Sequence, residues 1–364
     1  MGEQQPGSIG EARATLSRSM IFPLLGGRST LRQEHLLPIV TTVIVGVALI
    51  ALPLPWPHFS KSAEINEAWQ VYLILALYIA VLVNYYINGM CGRARSGSLM
   101  AAVGLFTFVM LSTPYWRSWY ELFYGVLPAS HWQKSANAVV QLAGWWFGTG
   151  LCEEGFKAWP LFGLALLGAG LDRLSRRAKG RQSGRLAAIS KRIGLHEPLD
   201  GIVLGVASGS GFFISETLFQ YVPTAMKAAK YPGSEAFQGL VLLLGRGLPN
   251  IAEHSAWSGL FGYFIGLSVL YPRMAKFLLP LGWFSAAALH ASWDGIDALT
   301  NSGVIIIVSW IFIGVLSYGL LAGAIFKARE ISPRLAFAAA ATAAYRPPTA
   351  PSPPLAASEV PDGD

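Results

Sequence analysis

Leu151-Cys152-Glu153-Glu154-Gly155-Phe156-Lys157-Ala158-Trp159-Pro160 is the stretch whose reading decides the fold. Two adjacent carboxylates and a lysine lie inside an otherwise apolar run from about Ala136 to Leu171, long enough to enter a bilayer. A charged side chain at the centre of a membrane helix costs roughly 2.5–3.5 kcal/mol on the insertion scale. Ionisable groups kept there are therefore rare and mark function or a specific pairing. Glu153 and Lys157 are four apart and share a helix face, whereas Glu154 is turned about a quarter-circle away. On this stretch alone, a structural ion pair locking two helices and a reactive centre are equally good readings.

Composition extends the membrane reading to the whole chain. Of 364 residues, 53% are hydrophobic and 13% charged, against about 25% charged in a soluble domain. The expected fold is an all-α polytopic membrane protein. The net charge of +7 is what basic loops supply for topology and implies no nucleic-acid partner. Cys91 and Cys152 cannot build a disulfide framework, and Cys152 reads as a small buried apolar residue rather than a thiolate ligand. The first 35 residues lack the compact charged-then-apolar pattern of a cleaved signal peptide, so the first span is expected to stay.

Apolar runs follow at about 36–55, 69–88, 98–114, 137–171, 199–222, 249–270, 277–299 and 303–326. Most have the ~20 residues that cross a hydrocarbon core, which predicts about eight spans in a transmembrane domain over 36–326. Residues 1–35 read as a flexible cytoplasmic tail and 333–364, rich in Ala and Pro, as a disordered one. The run 137–171 is too long for one straight span. Its first part, with Trp145, Trp146, Gly148 and Gly150, reads as interfacial or re-entrant. With both termini in the cytoplasm, inner segments hold 20 Lys and Arg and outer segments 5, a strong positive-inside bias. The basic stretch Arg173–Arg192 reads as a topogenic, solvated loop.

The remaining polar residues then fall at one depth. Glu216 lies about 17 residues, roughly 25 Å, from the inner end of span five, and His290 about 20 Å along span seven. His254 is about one turn from the outer end of span six, and Glu153 and Glu154 sit near the outer end of the second part of span four. Independent structural pairs need not coincide in this way. If ionised, Glu153, Glu154, Glu216 and Asp294 carry four negative charges against Lys157 and the nearby Arg246. The deficit calls for protonation, an imidazolium or a bound cation. Imidazole with carboxylate suits zinc, while a Glu–His pair can also activate water without metal.

Glu153-Glu154-x-x-Lys157, Phe212-x-x-x-Glu216, His254-Ser255-Ala256-Trp257 and His290-x-x-Trp293-Asp294 together resemble the PrsW family of membrane proteases, distant relatives of the CAAX-processing and bacteriocin-processing enzymes. Pro198-Leu199-Asp200-Gly201 before a Gly-rich helix is similar as well. The resemblance covers about 150–300, within an expected protease core of about 137–300, with Thr217 standing where the family pattern leads one to expect asparagine. It implies hydrolysis of a peptide bond in a single-pass, membrane-anchored protein such as an anti-sigma factor, at the outer side of the plasma membrane. It implies Glu153 as the water-activating base, with Glu154 beside it, Lys157 holding the pair and Asp294 orienting His290. His254, His290 and Glu216 are implied as the metal-binding or oxyanion-stabilising set.

Other intramembrane proteases fit less well. The chain has no His-Glu-x-x-His and no Gly-x-Gly-Asp, and Gly205–Gly209 does not place a serine as rhomboids do. A proton- or cation-coupled transporter also uses buried Glu and His, but neither an internal repeat nor paired broken helices is visible. A catalytically inactive protein that only binds membrane partners is the third reading.

Overall fold

The stretch Pro198–Glu216 is apolar or small on nearly every face beyond its first turn, the pattern of a helix packed on all sides. In the computed structural model it is a helix whose residues from Pro198 to Phe213 are all buried. Proline at its first position and Asp200 in its first turn are helix-start chemistry. The structure describes residues 61–92, 94–221 and 248–336. The expected first span at 36–55, the N-terminal tail, Arg246 and most of the C-terminal tail lie outside these residues. Among the described residues the chain is mostly helical, with no strand.

In chain order, α1 (Lys61–Met90) and α2 (Gly97–Met110) precede α3 (Pro114–Glu121), α4 (Ala129–Trp132) and α5 (Ala138–Trp145). Next come α6 (Glu154–Lys157), α7 (Trp159–Arg177), α8 (Gly180–Ile193) and the central α9 (Pro198–Glu216). The described elements end with α10 (Leu248–Leu270), α11 (Ala275–Asp294) and α12 (Gly303–Ile331). Helix α9 packs most extensively on α10 and also on α2 and α1, while α10 carries α11 and α12 on its other sides.

Two glycine seams explain how α9 is enclosed. A Cβ on Gly201, Gly205 or Gly209 would overlap the carbonyl oxygens of Gly262, Ser258 and His254 respectively. Each step of four along α9 is matched by a step of four back along α10, so the two backbones run antiparallel in one register. On another face Gly211 meets the Gly104 carbonyl, and a Cβ on Gly104 would stand 3.0 Å from the Ala207 carbonyl oxygen. Small residues that admit a neighbouring backbone are how membrane helices associate without a hydrophobic driving force.

The overlong run 137–171 resolves into several pieces. Asn137 caps α5, its side chain accepting from the amides of Val139 and Val140. Helix α5 gives way to a π-helix, Trp146–Glu153, followed by the single turn α6, a break at Ala158, and α7 with Pro160 in its first turn. A π-helical turn takes more residues than an α turn, and the break falls where proline begins a new helix.

The stretch Arg173–Arg192 also departs from the loop reading. The end of α7 and α8 form a helical hairpin that turns at Gly180, whose φ of 57° suits glycine. The Ser190 hydroxyl donates to the Gly168 carbonyl at 3.1 Å, and Ser175 and Ser183 each donate to the other's carbonyl at 2.9 Å. The basic side chains still point outward, all eight being exposed.

A second polar cluster binds the start of α9. Arg95 pairs with Asp200 at 2.5 Å and donates to the carbonyls of Lys191, Arg192 and Gly194. Arg334, beyond α12, pairs with Glu197 at 3.2 Å, and Ser332 donates to Glu197 at 2.6 Å. Asp200 thus ties the α1–α2 loop and the α8–α9 loop together as well as starting its helix.

By length and apolarity, two described helices can cross a membrane, Pro198–Tyr221 and Gly303–Ile331. There are three if Gly97–Met110 and Pro114–Val126, bent by 68°, form one broken crossing. Helix α12 exposes Val304, Ile307, Ile311 and Val315, as a lipid-facing helix must.

The seam yields a direct test. Gly205→Ala or Gly262→Ala forces α9 from α10 and should cost about 1–3 kcal/mol, the usual range for overpacking. Thermal unfolding in detergent should show both below wild type. Gly163→Ala, where nothing lies within 4 Å of an added Cβ, should unfold with wild type; equal midpoints for all three would remove the seam from the account.

Candidate active site

Lys157 closes the single turn α6 and is fully buried, as is Glu154, three residues before it. An ammonium in such a place needs partners for its protons. It donates to Glu154 Oε1 at 2.7 Å and lies 2.7 Å from His254 Nδ1. The ring of Phe212 faces it at 4.2 Å, a favourable placement for a desolvated cation. Glu153 Oε2 is further away, at 3.8 Å. The sequence reading paired Lys157 first with Glu153, and the structure reverses that order. Lys157 lies angularly between residues three and four before it, and the fully buried carboxylate takes the short contact.

Glu154 is the hub. Its Oε1 also meets His290 Nδ1 at 3.0 Å, and its Oε2 accepts from the Ser258 hydroxyl at 3.0 Å. A carboxylate on Nδ1 directs the other imidazole nitrogen outward. His290 Nε2 accordingly faces Glu153 Oε2 at 3.6 Å and Asp294 Oδ2 at 3.3 Å. The Trp257 ring stacks on that imidazole, with centroids 4.4 Å apart and planes 22° from parallel. Trp257 is itself held by an indole bond to Ser317 on α12 at 2.9 Å.

His254 sits between Lys157 and Glu216. The ammonium can only donate, so Nδ1 accepts, and Nε2 presents its N–H to Glu216 Oε2 at 3.0 Å. Gly209 touches the carbonyl of His254, so the α9–α10 seam fixes this histidine's height. Tyr221 donates to Glu216 Oε1 at 3.3 Å.

Glu153 Oε2 is buried and makes no hydrogen bond. A buried carboxylate oxygen without a donor is costly, and a cation at that point would satisfy it. One oxygen of Glu153 and one ring nitrogen each of His254 and His290 lie within 4.8 Å of one another. Two imidazoles and a carboxylate, with a fourth position left for water, are the donor set of catalytic zinc. Ligation through His254 Nε2 would displace that nitrogen's proton, as metal binding by histidine does generally. The expected trio was His254, His290 and Glu216. The close trio has Glu153 in place of Glu216, and Glu216 stands on the same nitrogen of His254.

A family model described as PrsW family intramembrane metalloprotease matches residues 99–320, more than half of the chain. The chain belongs to the PrsW family. It is thus a membrane-embedded protease working within a lipid bilayer. No curated protein and no solved structure matches it. The family match spans every described side chain of this PrsW site.

Glu153, Glu154, Lys157, Glu216, His254, His290 and Asp294 are thus all within one constellation, while Arg246 lies outside the described residues. Sequence reasoning missed Ser258 and Ser208. Ser258 follows His254 by four, on the same helix face, a spacing that could have flagged it. Ser208 donates to the Lys157 carbonyl at 2.6 Å from within a run of small residues that carries no other signal.

Lys157→Met leaves Glu154 buried without its cation, a change that costs about 3–5 kcal/mol in buried pairs. Lys157→Met with Glu154→Gln should recover part of that loss. Thermal unfolding of the two single variants and the double checks this, and strictly additive losses would show that the pair is not coupled.

Proposed function

We propose that this PrsW-family protease cleaves a single-pass, membrane-anchored protein of the anti-sigma-factor kind, at the outer side of the plasma membrane. Glu153 is the water-activating base. Its side chain is 14% exposed, whereas that of Glu154 is fully buried, and a base must reach water. Glu154 and Lys157 hold the site together. His254 and His290, with a carboxylate from Glu153 or Glu216, would hold zinc; Glu154 orients His290 through Nδ1, and Asp294 lies beside Glu153 at Nε2. Zinc in such a site acidifies a bound water and polarises a carbonyl. The two imidazoles can equally meet the developing oxyanion directly. The observation that carries this reading is the convergence of both histidines and the Glu153–Glu154 pair around Lys157.

Glutamine keeps the size of glutamate and removes the base. Glu153→Gln should therefore lose at least ~100-fold in cleavage of a co-reconstituted single-span substrate, at normal abundance. Metal content by mass spectrometry, on protein purified without chelator, should fall in the His254→Ala, His290→Ala double variant. It should persist in Glu153→Gln if that residue is the base and fall if it is a ligand. Retained activity in Glu153→Gln would disqualify it from either role.

The outer-face assignment rests on about eight spans with both termini cytoplasmic, which the 20-to-5 bias of Lys and Arg supports. Gln182 on the basic hairpin and Asn301 before α12 are both exposed. With Cys91 and Cys152 replaced by alanine, a cysteine at Asn301 should react with an impermeant thiol reagent in intact cells. One at Gln182 should be shielded. The reverse labelling would move the site to the inner leaflet and overturn outer-face cleavage.

A further inference from the structure

The backbone that carries Glu153 and Glu154 is gripped from two sides by residues outside the motifs. The ladder changes from π to α at this point, and the two residues just before the pair are Leu151 and Cys152. The Trp283 indole N–H donates to the Leu151 carbonyl at 2.9 Å, and the Trp119 indole N–H donates to the Cys152 carbonyl at 2.7 Å. The same two rings close over the far side of the pair. A Cβ on Gly155 would stand 2.9 Å from Trp119 Cζ2 and 3.0 Å from Trp283 Cζ2. Neither indole bonds a carboxylate; both touch main chain on either side of the glutamates.

Each ring is also braced. Trp119 packs edge-on against Trp159 at 5.4 Å between centroids and against Phe123 at 5.2 Å. Trp283 precedes His290 by seven residues on α11, two turns along one face. One helix therefore carries both the donor that holds the Leu151 backbone and the imidazole that faces Glu153 and Glu154.

We infer that Trp119 and Trp283 are positioning residues that set the rotation of the Leu151–Gly155 backbone and so aim Glu153 and Glu154 at His290. The inference rests on the reading of that pair as the reactive centre. Both indoles belong to the reaction through geometry alone. A small rotation here moves a reacting atom by a fraction of its reach, and misplacements of about 1 Å can cost about 100-fold in rate.

The two cysteines make the bond directly visible. In a Cys91→Ala background, cysteine labelled with carbon-13 at its carbonyl places a single label at Cys152. Trp119→Phe keeps the ring and removes the donor, so the isotope-edited infrared band should move to higher frequency. Trp283→Phe, whose acceptor is Leu151, should leave that band in place. Either substitution should lower kcat about tenfold with KM within about twofold, because the aim of the base is altered and not substrate binding. Gly155→Ala spreads the rings without deleting a donor and should lower kcat in the same manner, so it carries the comparison if a tryptophan variant fails to accumulate. An unmoved band in Trp119→Phe, or wild-type kcat in both phenylalanine variants, overturns the inference. Glu153→Gln is assayed in the same membranes. If it is inactive while the tryptophan variants are fully active, the positioning role alone fails. If it is active, the catalytic reading fails first and this inference falls with it.

Discussion

Backbone-to-backbone contact between α9 and α10 is the constraint from which the rest follows. Gly201, Gly205 and Gly209 leave no side chain between the two helices. Their register is set by carbonyls nested over glycines, Gly201 and Gly262 each facing the other's carbonyl. That register decides the height of His254, because its own carbonyl is the one over Gly209. It brings Ser258, one turn further along α10, to Glu154. It also presents Phe212, three residues past Gly209, to the Lys157 ammonium.

Within that frame, a single ammonium organises acids and bases that would otherwise repel or remain unsatisfied. Buried ion pairs are poor stabilisers by themselves, since desolvation offsets most of their attraction. What this one contributes is specificity. Lys157 can donate but never accept, so it assigns a role to each neighbour: Glu154 accepts, and His254 accepts at Nδ1 and turns its other nitrogen toward Glu216. Glu154 in turn assigns His290, taking one nitrogen and leaving the other toward Glu153 and Asp294. The least satisfied oxygen in the chain of contacts is Glu153 Oε2, beside both imidazoles.

Much of this was legible in the sequence, for reasons that also explain what was not. Ionisable residues in apolar runs are costly, so Glu153, Glu216, His254 and His290 stood out singly, and counting residues from loop charges placed them at one depth. The i, i+4 spacing of His290 and Asp294 matches a 3.3 Å contact. Helix spacing lets Lys157 reach a glutamate three or four residues before it, and both contacts are present; spacing does not report burial, which gives Glu154 the shorter one. Nothing local marks a switch from α to π. The basic stretch Arg173–Arg192 was read from charge as a loop. Its serines at 175, 183 and 190 stitch a helical hairpin through bonds to backbone, a pattern that ordinary solvated serines also present. Trp119 lies between the apolar runs 98–114 and 137–171, where aromatic residues are common at a membrane boundary.

The glycine seams also bear on how such an enzyme can diversify. A core packed by side chains can drift, one residue shrinking as its neighbour grows. A core packed by peptide groups has no such compensating pairs, since any gain of volume at Gly201, Gly205 or Gly209 meets a carbonyl that cannot be exchanged. The α9–α10 unit is therefore closed to gradual sequence change. Side-chain packing of the tradeable kind lies instead in the aromatic segment from Pro114 to Phe147, where rings such as Tyr120 and Tyr124, or Trp132 and Phe147, pack against one another. The chain thus joins a centre packed by peptide groups to a flank packed by rings, and the two meet at the π-helix.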